Sequence, residues 1–253
     1  MSALLARSPV TPESAEWRYV GFEVVDLGGG RAERKTGDRE CCLVVLSGTV
    51  HVRSAHGDWR DLGGRQDPFS GRPDAAYLPP NTGFEMEGSG EIALCTAPGG
   101  AGAEPRVLPG DEVEVEVRGQ GAHERTVTPI LMGDEGADSL LVCEVVTPPG
   151  HWSSYPPHKH DRDAMPEESF LEETYYHRIS PPQGFALQRV YTADGELDET
   201  MVVRDSDVVL VPRGYHTVSA PPGYAVYYLN VMAGPVRAWA IANDPDHEWI
   251  LSS

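Results

Sequence analysis

An all-β fold is predicted by three observations. Glycine and proline are abundant, 27 and 22 of 253 residues, and cut the chain into short segments joined by turns. The apolar runs are short and rich in valine, whose branched side chain suits a pleated surface. No segment carries apolar residues at the 3.6-residue spacing of a helix. The length suffices for one large or two small domains with a sizeable core.

Residues 1–16 read as an irregular start and 17–29 as a first strand. Glu40 to Val52 reads as a strand, a tight Ser47-Gly48 turn and a second strand, a hairpin. Residues 57–73 are polar and rich in Gly and Asp, a loop. Ala76 to Glu85 holds a strand that ends in a Pro-Gly turn and resumes, and Glu91 to Thr96 is another short strand. Residues 97–110, APGGAGAEPRVLPG, lack periodicity and form the linker. They divide the chain into an expected first domain, 1–110, and a second, 111–253. The second opens on Glu112 to Val117, whose strict alternation predicts a half-exposed strand with valines inward and carboxylates outward. Two strands flank a Gly133-Asp134-Glu135-Gly136 turn. Further strands are expected over 185–191, 199–203, 207–211 and 224–232, with a closing strand over 239–242. The Ser-Gly hairpin and the Pro-x-x-x-Gly turn of the first half echo the second half, as in an internal duplication with ligands in one half only.

The formal net charge is −19. With no Lys/Arg cluster to meet phosphates, a nucleic-acid partner is not expected. No apolar run approaches the length of a membrane span, and the N-terminus has no signal-peptide pattern. Cys41, Cys42, Cys95 and Cys143 show no C-x-x-C spacing, and three sit in apolar runs. They read as small buried thiols in a reducing, cytoplasmic setting.

The chemistry is concentrated in residues 150–216. Side chains two apart on a strand share a face, so His158 and His160 point one way and Lys159 the other. On the next strand Glu173, Tyr175 and His177 share one face, and Glu172, Thr174 and Tyr176 the other. His216 follows the Pro212-Arg213-Gly214 turn. Three neutral imidazoles and one carboxylate suit a divalent transition metal, Zn, Mn or Fe among them, and on an octahedral ion they leave two positions for water or substrate. Either Glu172 or Glu173 can supply the carboxylate, with Glu167 and Glu168 as weaker rivals.

Gly150 to His160, Glu173-Thr174-Tyr175-Tyr176 and Pro212 to His216 resemble the two metal motifs of the cupin superfamily. The twelve residues between His160 and Glu173 exceed the usual cupin spacing, and His216 lies one residue closer to its glycine. The aromatic pair after Glu173 matches the cupin glutamate. The strings PPHKHDRD, EETYYHRISPPQGFALQRVYT, DETMVVRDSDVVLVPRGYH, YYLNVMAGP and NDPDHEW are similar to the bicupin family that unites the 5-deoxy-glucuronate isomerases of myo-inositol catabolism with the 5-keto-4-deoxyuronate isomerases.

That resemblance implies two tandem cupin barrels, the first without metal ligands. It also implies aldose–ketose isomerisation of 5-deoxy-D-glucuronate to 5-dehydro-2-deoxy-D-gluconate, with one divalent metal held by His158, His160, Glu173 and His216. Tyr175 and His177 are then candidates for the proton-transfer group. Arg189 is the candidate for the substrate carboxylate, because a guanidinium binds a carboxylate through two parallel hydrogen bonds. Gln188, Tyr191 and Asn230 complete the expected substrate-binding set. The partner is a small anionic sugar acid, and exposed barrel edges point to a homo-oligomer. The same ligands would also serve an iron-dependent dioxygenase, and the fold a non-enzymatic sugar-binding bicupin.

Overall fold

The computed structural model describes residues 2–100, 103–133 and 136–252. Ala101 and Gly102 of the expected linker, and Asp134 and Glu135 of the expected turn, lie outside them. The chain divides into two compact units: Ser8–Glu114 with Thr128–Cys143, and Met1–Arg7 with Val115–Val127 and Glu144–Ser253.

In the first unit a five-stranded sheet runs in the order Arg106–Leu108, Ala75–Leu78, Arg39–Val45, Glu91–Pro98, Gly21–Asp26. A four-stranded sheet runs Arg31–Lys35, Gly83–Ser89, Thr49–Ser54, Gly57–Gly63. All pairings are antiparallel. Alternate residues of both sheets, among them Leu43, Val45, Val50, Val52, Met86, Ile92 and Leu94, interdigitate as an aliphatic core, the pattern of a sandwich. The expected hairpin over Glu40 to Val52 is absent: Arg39–Val45 and Thr49–Ser54 lie in different sheets. Ser47-Gly48 is where the chain crosses between them. Gly48, at φ +75°, is required there, since a Cβ would stand 2.0 Å from the Ser89 carbonyl oxygen.

A seven-stranded sheet, most of it in the second unit, runs Leu5–Ala6, Val208–Val211, Glu172–Ser180, Ala225–Ala233, Leu141–Thr147, Arg125–Leu131, Glu116–Arg118. The other sheet of the second unit has five strands, Asp198–Val203, Ala186–Tyr191, Tyr215–Ser219, Trp152–Lys159, Ala242–Asn243. The N-terminal residues thus supply an edge strand, with Leu5 opposite Val209. The expected strand over Glu112 to Val117 shrinks to Glu116–Arg118, an edge paired on one side only, and Val117 is 67% exposed. Residues 239–241 are irregular, and the closing strand is Ala242–Asn243.

All four cysteines are free and buried, and burial pushes the Cys41 thiol up to about 12. Burial likewise pushes Cys42 and Cys95 well above the ordinary thiol range, so these three are not nucleophiles at neutral pH. No helix among the described residues is long and apolar enough to cross a membrane.

Candidate metal centre

Three strands of the second unit converge on one inward-facing cluster. Register places His158 opposite His216 across Trp152–Lys159 and Tyr215–Ser219. Glu173, Tyr175 and His177 lie along one face of Glu172–Ser180, opposite Met232, Asn230 and Tyr228. His158, His160, His216 and Glu173 are each no more than 3% exposed. Glu173 Oε2 lies 3.0 Å from His160 Nε2 and 3.1 Å from His216 Nε2. Glu172 falls on the opposite face by strand alternation. Glu168 is turned to Lys159 and Arg162, and Glu167 is exposed.

The long spacing between His160 and Glu173 is closed by a small hairpin, Asp161–Ala164 with Glu168–Phe170. Leu171 N–H donates to the His160 carbonyl at 2.9 Å, so the chain returns to the metal strand where it left. The buried Glu168 carboxylate holds this hairpin through Lys159 at 2.7 Å, Arg162 at 2.8 Å and the Asp161 N–H at 2.9 Å. Asp161 Oδ2 then accepts the Gly214 N–H at 2.8 Å and ties the hairpin to the turn before His216. Gly214, at φ +89°, leaves room for the Tyr191 carbonyl oxygen, which would stand 2.4 Å from a Cβ.

The donor geometry tests whether these residues fit a metal. His160 Nδ1 faces the Leu171 carbonyl at 3.0 Å and His216 Nδ1 the Gly214 carbonyl at 3.1 Å. A carbonyl only accepts, so in the neutral rings both Nδ1 atoms carry the hydrogen and both Nε2 atoms present lone pairs. Those lone pairs point at the Glu173 carboxylate, acceptor against acceptor, an arrangement that a bound cation satisfies. His158 Nε2 is buried without a hydrogen-bond partner. One ligand atom from each histidine lies within 4.8 Å of the others. Atoms about 2.1 Å from a common ion and at right angles to one another stand about 3 Å apart, which matches the His–Glu separations. Among the described residues this is the one such group of three or more metal-ligating side chains.

Without an ion, burial would raise the Glu173 carboxyl, but the contacts from His160 and His216 hold it at about 2; against the effect of burial, the same Glu173 contact raises His160 above the ordinary imidazole value. Burial, with the neighbouring His216 and His160, pushes His158 well below the usual imidazole range. It therefore presents a lone pair at neutral pH.

The remaining predicted residues separate into two groups. Tyr175 is 2% exposed, with its ring centroid 5.7 Å from that of His216. His177 lies one strand step deeper, stacked on Tyr175 at 6.1 Å, with Nε2 2.8 Å from Gln188 Oε1. Burial pushes it down to about 4. Asn230 joins the cluster, but its Nδ2 donates to Glu173 Oε1 at 2.7 Å, which makes it a support for the carboxylate.

Arg189 and Tyr191 lie on the opposite face of Ala186–Tyr191 from Gln188 and Val190, which face the core. The Arg189 guanidinium forms two 2.8 Å bonds to Asp198, and the Tyr191 hydroxyl donates to Asp244. Both line an outer groove of about 520 Å³ with Trp152, Tyr155 and His247. The expectation that Arg189 and Tyr191 share a site with Gln188 and Asn230 is corrected by this parity.

Two residues at the site had no motif to announce them. Trp239 packs its ring 5.7 Å from both His158 and His160. Arg125 lines a cavity of about 300 Å³ together with His158 and Trp239.

The family model for the KduI/IolB family matches residues 6–250. The 5-deoxy-glucuronate isomerase of Geobacillus thermodenitrificans is 56% identical over 248 residues, covering 96% of this chain and 90% of that protein. The crystal structure of an IolB-like protein from Salmonella typhimurium superposes with a TM-score of 0.96 at 44% identity, over 98% of this chain and 99% of that one. Lactobacillus farciminis oxalate decarboxylase, in its formate complex, aligns with a TM-score of 0.65 at 14% identity, over 100% of this chain and 91% of that one. The last likeness speaks for the fold alone, and the fold is a bicupin of two tandem β-barrels. By the family match and the identity to its relatives, this chain belongs to the KduI/IolB family.

Proposed function

We propose that this protein is an aldose–ketose isomerase that converts 5-deoxy-D-glucuronate to 5-dehydro-2-deoxy-D-gluconate with one bound divalent metal, Zn, Mn or Fe. The observation that carries the reading is its near-full-length identity to proteins named 5-deoxy-glucuronate isomerase. The histidine–carboxylate cluster supports it chemically.

In this reading His158, His160, His216 and Glu173 hold the metal, and Asn230 fixes Glu173. When bound, the ion polarises the substrate carbonyl and adjacent hydroxyl and stabilises negative charge on their oxygens. The isomerisation is internally balanced: C2 loses a hydrogen, C1 gains one, and the hydroxyl proton passes from O2 to O1. Tyr175 stands beside His216 and is the nearer candidate to carry the proton. His177, neutral and bonded to Gln188, is the deeper one. Trp239 covers two of the imidazoles and limits water access. Catalysis is assigned to the second unit, which holds the cluster. A reducing, cytoplasmic setting is supported by the four free thiols, and association into homo-oligomers by the one-sided edge strand Glu116–Arg118.

The test is anaerobic turnover of 5-deoxy-glucuronate by chelator-treated protein, with and without added Zn, Mn or Fe, followed by proton NMR in deuterium oxide. The reading expects ketose only after metal is restored, and deuterium at the former aldehyde carbon if the proton exchanges with solvent. Metal-bound protein that gives no ketose would refute the substrate assignment.

A further inference from the structure

The substrate in this reading carries its reacting carbons at one end and a carboxylate at the other. Most cationic side chains of the second unit are already committed. Arg118 pairs with Glu116, Arg162 with Glu168, Arg178 with Asp205, Arg189 with Asp198 and Arg213 with Glu196, all at 3.1 Å or less. Arg125 is not among them. Its guanidinium donates from Nη1 to the His123 carbonyl at 3.2 Å, and among the described residues no carboxylate lies in ion-pair contact with it. In a chain of formal charge −19, a half-buried arginine with no counter-ion is conspicuous, because such a charge loses hydration without compensation.

Its surroundings are built for an anion. Arg125 begins the strand Arg125–Leu131, directly opposite Arg118 across the sheet edge. The charge of Arg118 is met by Glu116 at 2.7 Å, which leaves Arg125 as the cation of this pair without a carboxylate among the described residues. Both line the cavity that contains His158. Gly119, at φ +80°, clears the space for the guanidinium: a Cβ there would stand 2.9 Å from Arg125 Nη1. Burial lowers the Arg125 guanidinium below its ordinary value, and the neighbouring Tyr228 and Tyr175 only partly offset this.

We propose that Arg125 binds the carboxylate of the sugar-acid substrate and selects uronates over neutral aldoses. This rests on the isomerase reading for the identity of the substrate, and on the geometry alone for the anion site.

The experiment uses metal-loaded wild type, R125M, R125K and R189M. Each is titrated calorimetrically with D-glucuronate, assayed for turnover of 5-deoxy-glucuronate, and analysed for metal content. The proposal expects R125M to raise KM and the D-glucuronate Kd by about 30- to 100-fold, as loss of a charge-assisted bidentate contact implies. Metal content and kcat should stay within a few-fold of wild type. R125K, which keeps the charge but not the fork, should fall between, and R189M should match wild type.

Unchanged KM and Kd in R125M, or a rise in R189M instead, would overturn the proposal, as would a loss of metal that accounts for the whole effect. If wild type binds D-glucuronate through Arg125 yet makes no ketose, the isomerase reading fails and the anion site stands. If wild type neither binds D-glucuronate nor makes ketose, both fail.

Discussion

The two units share a sandwich of antiparallel sheets and differ in what fills them. In the first, the inward positions hold Leu43, Val45, Val50, Val52, Met86, Ile92 and Leu94. In the second, the corresponding region between the sheets holds His158, His160, Glu173 and His216. Beneath them lie Tyr175, His177 and Gln188, and a hydroxyl chain from Tyr228 to Ser153 at 2.9 Å and on to Thr147 at 2.5 Å. Aliphatic filling contributes hydrophobic stabilisation and asks for no partners. The polar filling needs partners for its groups, and it leaves His177 Nδ1, Gln188 Nε2 and His158 Nε2 buried without one. The contrast teaches how one architecture is made into a scaffold or a reaction site by the inward residues alone.

The largest effect should come from the ligands. His216→Ala is expected to lower kcat/KM by about 1000-fold or more, since several kcal/mol of charge stabilisation go with the ion, while the fold survives by circular dichroism. Activity within tenfold of wild type would erase the distinction between the two interiors.

The first unit buries the Glu40 carboxylate as a structural anchor. Glu40 accepts the Tyr77 hydroxyl at 2.6 Å and the N–H groups of Asp138, Ser139 and Leu140 at 2.6 to 2.8 Å. Glu40→Ala leaves these donors unpaired and is expected to cost about 3–5 kcal/mol of stability in urea unfolding, with kcat per folded molecule unchanged.

Acid should expose the second interior before the first. Burial lowers His177 to about 4, against an ordinary value near 6.5. The unfolded chain therefore takes up a proton at this residue in a window where the folded chain does not. The stabilisation is full above about pH 6.5 and is lost as the pH falls towards 4, by about 2 kcal/mol at pH 5. His177→Asn should flatten the pH dependence over that window; an unchanged slope would mean that His177 is not buried neutral.

The smallest effect falls on support. Asn230→Leu removes the 2.7 Å bond to Glu173 and should weaken metal affinity by about 10- to 100-fold, the usual range for groups that orient a ligand. A change below twofold, measured by competition with a chelator dye, would make Asn230 a packing residue.

The cluster was legible because strand parity carries it: His158 with His160, and Glu173 with Tyr175 and His177, fall on shared faces whatever the sheet order. Parity alone does not say which face is inside. In Ala186–Tyr191 both alternations contain apolar residues, Ala186 and Val190 on one side and Leu187 and Tyr191 on the other, so Arg189 could be read either way. The Ser47-Gly48 turn looks like a hairpin because a short crossing between sheets uses the same residues as a tight turn. Glu112 to Val117 alternates perfectly, yet alternation needs a neighbouring strand to become a ladder, and only Glu116–Arg118 has one. Arg125 and Trp239 belong to no motif; their place beside His158 arises from contacts remote in sequence.

The most direct test of the contrast between the two interiors is metal stoichiometry, by mass spectrometry of protein loaded with Zn, Mn or Fe and freed of excess ion. The account predicts one divalent ion per chain, and none in a His158→Ala, His216→Ala double variant that remains folded. Two ions per chain, or one ion retained in the double variant, would contradict it.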